Sequence, residues 1–146
     1  MARRVITLLG DPIVTEDGNA TEQIEPGMLI EGVTSIALLS STGEQPVRVA
    51  LERDELGKGI DAVVGSGSAS QTAYYASGDT VKVGAFSGGH RWYGFLGSGE
   101  SVAEAALLES NGDGTLKAGT TNPIAMALET VDASAADTRI RAEVMV

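Results

Sequence analysis

Apolar and β-branched residues in this 146-residue chain come in short runs, and glycine or a turn pair interrupts almost every one. The runs fall near 28–33, 36–40, 46–51, 72–75, 80–86, 91–96, 105–110, 115–118, 123–129 and 138–146. Runs this short cannot carry the period of a long helix, and their spacing predicts many short strands. Several alternate in the strand manner. Val81, Val83 and Ala85 share one face, and Ile140, Ala142 and Val144 lie opposite Arg139, Arg141 and Glu143. Such alternation describes strands with one face buried and one in water. Asn111-Gly112-Asp113-Gly114 separates two runs and predicts a hairpin between 105–110 and 115–118. Ser101 followed by Glu104 has the form of a helical capping box, and 52–57 could form one helical turn. The hairpin signal after 101–109 favours strand there. The expected fold is mainly β, a small antiparallel β-barrel or sandwich.

The first 31 residues read differently. Residues 3–9 (Arg-Arg-Val-Ile-Thr-Leu-Leu) suit an extended strand and end at Gly10-Asp11-Pro12. Asp11, Glu16, Asp17, Glu22, Glu25 and Glu31 then follow with no Lys or Arg among them. Residues 15–22 are polar without a period and predict a loop or linker. The expected division is an N-terminal arm and acidic linker over 1–25, and a β-rich domain over 26–146 that opens at the turn pair Pro26-Gly27. The apolar run after Arg4 is too short for a signal-peptide core, and no stretch approaches the ~18 apolar residues of a spanning helix. The expectation is synthesis in the cytoplasm without export and no membrane partner.

Composition narrows the chemistry. Twenty acidic residues against ten Lys and Arg give a formal charge of −10. Phosphate contacts need clustered cations, so nucleic acid is not an expected partner. There is no cysteine, which excludes disulfides, thiolate metal sites and a cysteine nucleophile. His90 is the sole histidine and has no nucleophile or orienting carboxylate beside it in sequence. Gly65-Ser66-Gly67-Ser68 lacks the remaining glycine of a dinucleotide loop and reads as a flexible connection. Asn111–Gly114 lacks the later ligands of a calcium loop and reads as a turn. No catalytic residue, cofactor or metal is assigned.

All six aromatic residues lie between Tyr74 and Phe95. Tyr74, Tyr75, Phe86, Trp92, Tyr93 and Phe95 fall on three successive runs, and pairing of those runs would gather them into one patch. They can be the core, a sugar platform or an interface, where Trp and Tyr are favoured anchors. Alternation puts Trp92 opposite Tyr93 and Phe95, so both faces of that run carry rings. Tyr74, Tyr75, Trp92, Tyr93 and Phe95 are the candidate oligomer interface.

The order of these pieces resembles the small capsid decoration (cement) proteins of tailed bacteriophages. An apolar arm and acidic linker lead to Glu25-Pro-Gly-Met-Leu-Ile-Glu31. Tyr75-Ala-Ser-Gly-Asp-Thr-Val-Lys-Val83, Ala106-Leu-Leu-Glu-Ser-Asn-Gly-Asp-Gly-Thr-Leu116 and Pro123-Ile-Ala-Met-Ala-Leu-Glu129 follow, before a terminal strand. The resemblance implies a β-tulip-like domain, often homotrimeric, on the outer surface of an icosahedral virion. It implies binding to the major capsid protein, stabilisation of contacts between capsomers, and no catalysis. Arg3, Arg4, Val5, Ile6, Leu8 and Leu9 are then the candidate capsid-binding arm, adding as a strand to a capsid sheet edge. Two other roles suit the same composition. One is a different virion component, such as a head-fibre base or tail-tube-like subunit; the other is a carbohydrate-binding module.

Overall fold

The computed structural model describes residues 6–41, 47–52 and 74–145. Among them the chain forms strands and no helix, as its short, glycine-broken runs predict. In chain order these are β1 (Thr7–Leu9), β2 (Ile13–Ala20), β3 (Ile30–Glu31), β4 (Ser35–Leu38), β5 (Val47–Ala50), β6 (Thr80–Phe86) and β7 (Arg91–Leu96). They continue with β8 (Ser101–Val102), β9 (Leu107–Ser110), β10 (Leu116–Ala118), β11 (Ala125–Ala127), β12 (Val131–Asp132) and β13 (Thr138–Val144).

Five strands close on themselves. The order β7-β10-β9-β11-β13 returns to β7 through an antiparallel ladder from Thr138↔Leu96 to Glu143↔Arg91. β13 occupies one whole edge of β7. Two strands share the other edge: β10 pairs in parallel at Leu96, and β1 pairs antiparallel at Trp92 and Arg91. A five-stranded barrel is narrow, so its interior accepts few large side chains. Alternation points Ala125, Ala127 and Ala142 inward with Leu108, Ile140 and Val144, all almost completely buried. The chain's abundance of alanine therefore has a steric use at these positions.

The second sheet has the order β3-β4-β2-β6-β5 and curls, because Leu29, just before β3, bridges Val49 on β5. The β9–β10 hairpin ties the two units together. Leu116↔Ser110 through Ala118↔Leu108 set its register, in keeping with the turn signal at 111–114. At the tip, the Gly114 carbonyl accepts the Leu29 N–H at 2.9 Å, and a Cβ on Gly114 would stand 2.8 Å from Leu38 Cδ2. With φ at +87°, only glycine fits that turn without strain. One apolar cluster runs through both units, joining Val47, Val49 and Phe86 of the curled sheet to Trp92, Leu108 and Ile140 of the barrel.

Three local expectations change. Residues 15–22, read as a loop, belong largely to β2, which pairs with β6 from Ile13↔Ala85 to Asn19↔Thr80. Residues 13–17 are exposed on both faces, so no apolar alternation marks this strand; its ladder to β6 holds it. The run at 72–75 is represented among the described residues by a bridge between Tyr75 and Ile24. The two-residue strands β8 and β12, which pair with each other, were below the length at which a sequence pattern shows. At 101–109 the structure agrees with the strand that was favoured over a capping-box helix: β8 opens that stretch and β9 closes it. The possible helical turn at 52–57 lies mostly outside the described residues.

Candidate functional site

The aromatic residues do not form one patch, because β6 and β7 lie in different sheets rather than side by side. Tyr75 and Trp92 are fully buried and serve as core. The Tyr75 hydroxyl donates to the Leu51 carbonyl at 2.7 Å, so the ring is buried with its polar end satisfied. Trp92 donates its indole N–H to the Gly27 carbonyl at 3.3 Å and packs at 6.3 Å from the Phe86 ring. Gly94 makes room for it: a Cβ there would lie 2.7 Å from Trp92 Nε1.

Tyr93 and Phe95 occupy the other face of β7, as alternation requires. They are covered from within the chain by Arg139, whose guanidinium carbon lies 4.0 Å from the Phe95 centroid and 5.5 Å from that of Tyr93. Arg139 also donates to the Pro26 carbonyl at 2.6 Å and the Tyr93 carbonyl at 3.2 Å. A guanidinium stacked on rings and bonded to two carbonyls is a fixed strut. Tyr74 is half-buried.

The N-terminal candidates are separated by the fold. Arg3, Arg4 and Val5 lie outside the described residues. Ile6 is fully buried in the main core, its N–H donated to the Glu52 carboxylate and its carbonyl accepting from Tyr93 N–H. Leu8 and Leu9 are exposed at 39% and 52%. Beyond the turn at Gly10, which lies under the His90 ring, Ile13 and Val14 are exposed at 73% and 46%. Met145 is exposed near the same end, since Val144 N–H donates to the His90 carbonyl. Asp11, Glu16 and Asp17 are exposed in the same stretch. Sequence reasoning did not single out Ile13 and Val14; the available signal was an apolar pair inside an otherwise polar stretch.

The polar candidates have structural partners. His90 Nδ1 accepts the Ser87 N–H at 3.3 Å, closing the β6–β7 turn, and the ring meets Phe86 edge-on. Asp113 accepts both the N–H and the hydroxyl of Thr115, which makes 111–114 a self-bonded turn. Glu109, 7% exposed, accepts the N–H groups of Thr121 and Asn122 at 3.2 and 3.1 Å and faces Lys117 at 3.7 Å. The Ser134 N–H, bonded to Asp132 at 2.9 Å, holds that carboxyl below its ordinary value. Among the described residues no three His, Asp or Glu side chains gather in a group able to hold a metal ion. The Gly/Ser stretch 65–68 lies outside the described residues.

The fold and its surfaces define an all-β module, a small closed barrel fused to a curled sheet, with exposed apolar residues on β1 and β2. No protein-family model matches the chain. No curated protein matches it in sequence. Among solved structures it is similar to the head fibre gp8.5 N base of bacteriophage phi29, with a TM-score of 0.55 over 92% of both chains at 11% identity. At that identity the likeness is one of fold.

Proposed function

We propose that this chain is a structural protein of a phage virion, attached to the outer surface of the head and built as a head-fibre base. The observation that carries the reading is the shared fold with the phi29 head-fibre base through nearly the whole of both chains. The order of sequence features that resembles capsid decoration proteins supports the same location. On this reading the partner is the major capsid protein, the chain is made in the host cytoplasm, and it performs no catalysis.

The physical chemistry suits such a role. A protein that touches more than one capsid subunit gains avidity from linked contacts, each of which can be modest. The charge of −10 keeps the free protein soluble and away from packaged DNA. The basic residues Arg3 and Arg4 with exposed Leu8 and Leu9 are the proposed contacts of the N-terminal stretch.

A second reading, a homotrimeric decoration protein that cements capsomers, rests on that sequence resemblance. Cryo-EM of the parent particle tests both. A fibre base is expected as density on the head from which a further projection rises. A cement protein is expected as a compact trimer between capsomers, with stripped capsids losing heat resistance. Density on the tail, or no density on the particle, would overturn both readings.

A further inference from the structure

The outer edge of β2 is half covered. β4 pairs in parallel with β2 only at Asn19↔Ser35 and Ala20↔Ile36. A Cβ on Gly18 would already stand 2.3 Å from the Val33 carbonyl, so the covered part begins there. From Ile13 to Thr15 no strand among the described residues pairs with that edge, while the opposite edge is held by β6, up to a register shift between Thr15 and Gly18. Ile13 and Val14, the most exposed large apolar pair adjacent in sequence, occupy this open segment. Open apolar strand edges are pairing templates, and proteins normally shorten, charge or cover them.

Two observations say what the edge accepts. Successive strand residues point to opposite faces, so Ile13 and Val14 face opposite ways. A flat partner surface covers one of them; a strand laid alongside β2 flanks both. Asp11 and Asp17, both exposed, flank the pair, with no Lys or Arg between Asp11 and Glu31. A second copy would bring carboxylates against carboxylates on an already −10 chain, whereas a basic segment would neutralise them.

We infer that the edge Ile13–Thr15 is a strand-docking site for an extended, Lys- or Arg-bearing segment of the capsid subunit. The inference rests on the head-attached reading above and names the partner surface for it. The docked strand continues the line of β4, covers Ile13 and Val14 with its alternate side chains, and sets its cations against Asp11 and Asp17.

The test is cosedimentation of the full chain with undecorated capsids of the parent phage at several salt concentrations. Ile13→Asp, Val14→Asp and the double variant Asp11→Lys/Asp17→Lys are compared with the wild type. Thermal melts and light-scattering mass are measured on each. Each variant is expected to keep the wild-type melt and mass, and to bind about tenfold or more weakly. The lysine variant is expected to lose the salt dependence of binding. Wild-type affinity in all three would overturn the docking site while leaving capsid attachment standing. Absence of capsid binding by the wild type would instead remove the head-attached reading, and the docking site with it. A changed mass in the aspartate variants would assign the edge to a second copy, and a lowered melt would assign it to this chain's own packing. Either result overturns the proposal.

Discussion

Trp92 shows how much one side chain carries here. It is fully buried, its indole N–H is bonded to Gly27, and Gly94 leaves the space it fills. Trp92→Ala is expected to cost about 3–5 kcal/mol of stability, measured by urea denaturation, because a narrow barrel cannot collapse into the space left. Glu109 is a polar counterpart. Its carboxylate is the acceptor for two N–H groups of the loop at 121–122, and a Cβ on Gly119 would displace that side chain from its place. Glu109→Ala is expected to cost about 1 kcal/mol, since it removes two hydrogen bonds whose donors water can reach. The 3.7 Å approach of half-exposed Lys117 adds little to that figure. Lys117→Ala should accordingly leave the denaturation midpoint almost unchanged.

At the scale of elements, β1 is a strand of the folded unit as well as part of the N-terminal stretch. Ile6 sits in the main core, and β1 pairs with β7 beside the barrel's β10 contact. Truncation before Ile6 and truncation after Leu9 should therefore behave differently. Removing residues 1–5 keeps Ile6 and β1 and serves as the reference for the comparison. Removing residues 1–9 is expected to lose about 2–5 kcal/mol, the worth of a buried Ile with its strand. Circular dichroism melts of the two truncations separate the cases. The strands β6, β7, β9 and β10 were legible in the sequence because alternation or a turn signal marks them. β2 was not: a strand with both faces in water needs no apolar pattern, and its ladder partner β6 lies more than sixty residues away in sequence.

Across the whole molecule, the barrel and the curled sheet share one apolar cluster. They are expected to unfold as one unit. Trp92 is the only tryptophan, so its fluorescence reports the barrel, while far-UV circular dichroism reports both sheets. Coincident urea transitions by the two probes are expected; separated transitions would show that the units fold independently. The shared cluster bears on the proposed role, since a load applied to either sheet is passed to the other through it.

Local chemistry determined the strand-rich class, the 111–114 turn and the opposite facing of Trp92 and Tyr93, because alternation and turn preferences act over a few residues. The closure of β13 back onto β7 was a tertiary decision, as were the separation of β6 from β7 and the covering of Tyr93 and Phe95 by Arg139. The exposure of Ile13 beside the burial of Ile6 was decided in the same way. Each of these depends on which distant strand becomes a neighbour. That choice is made by the packing of the whole core, and no single segment carries it.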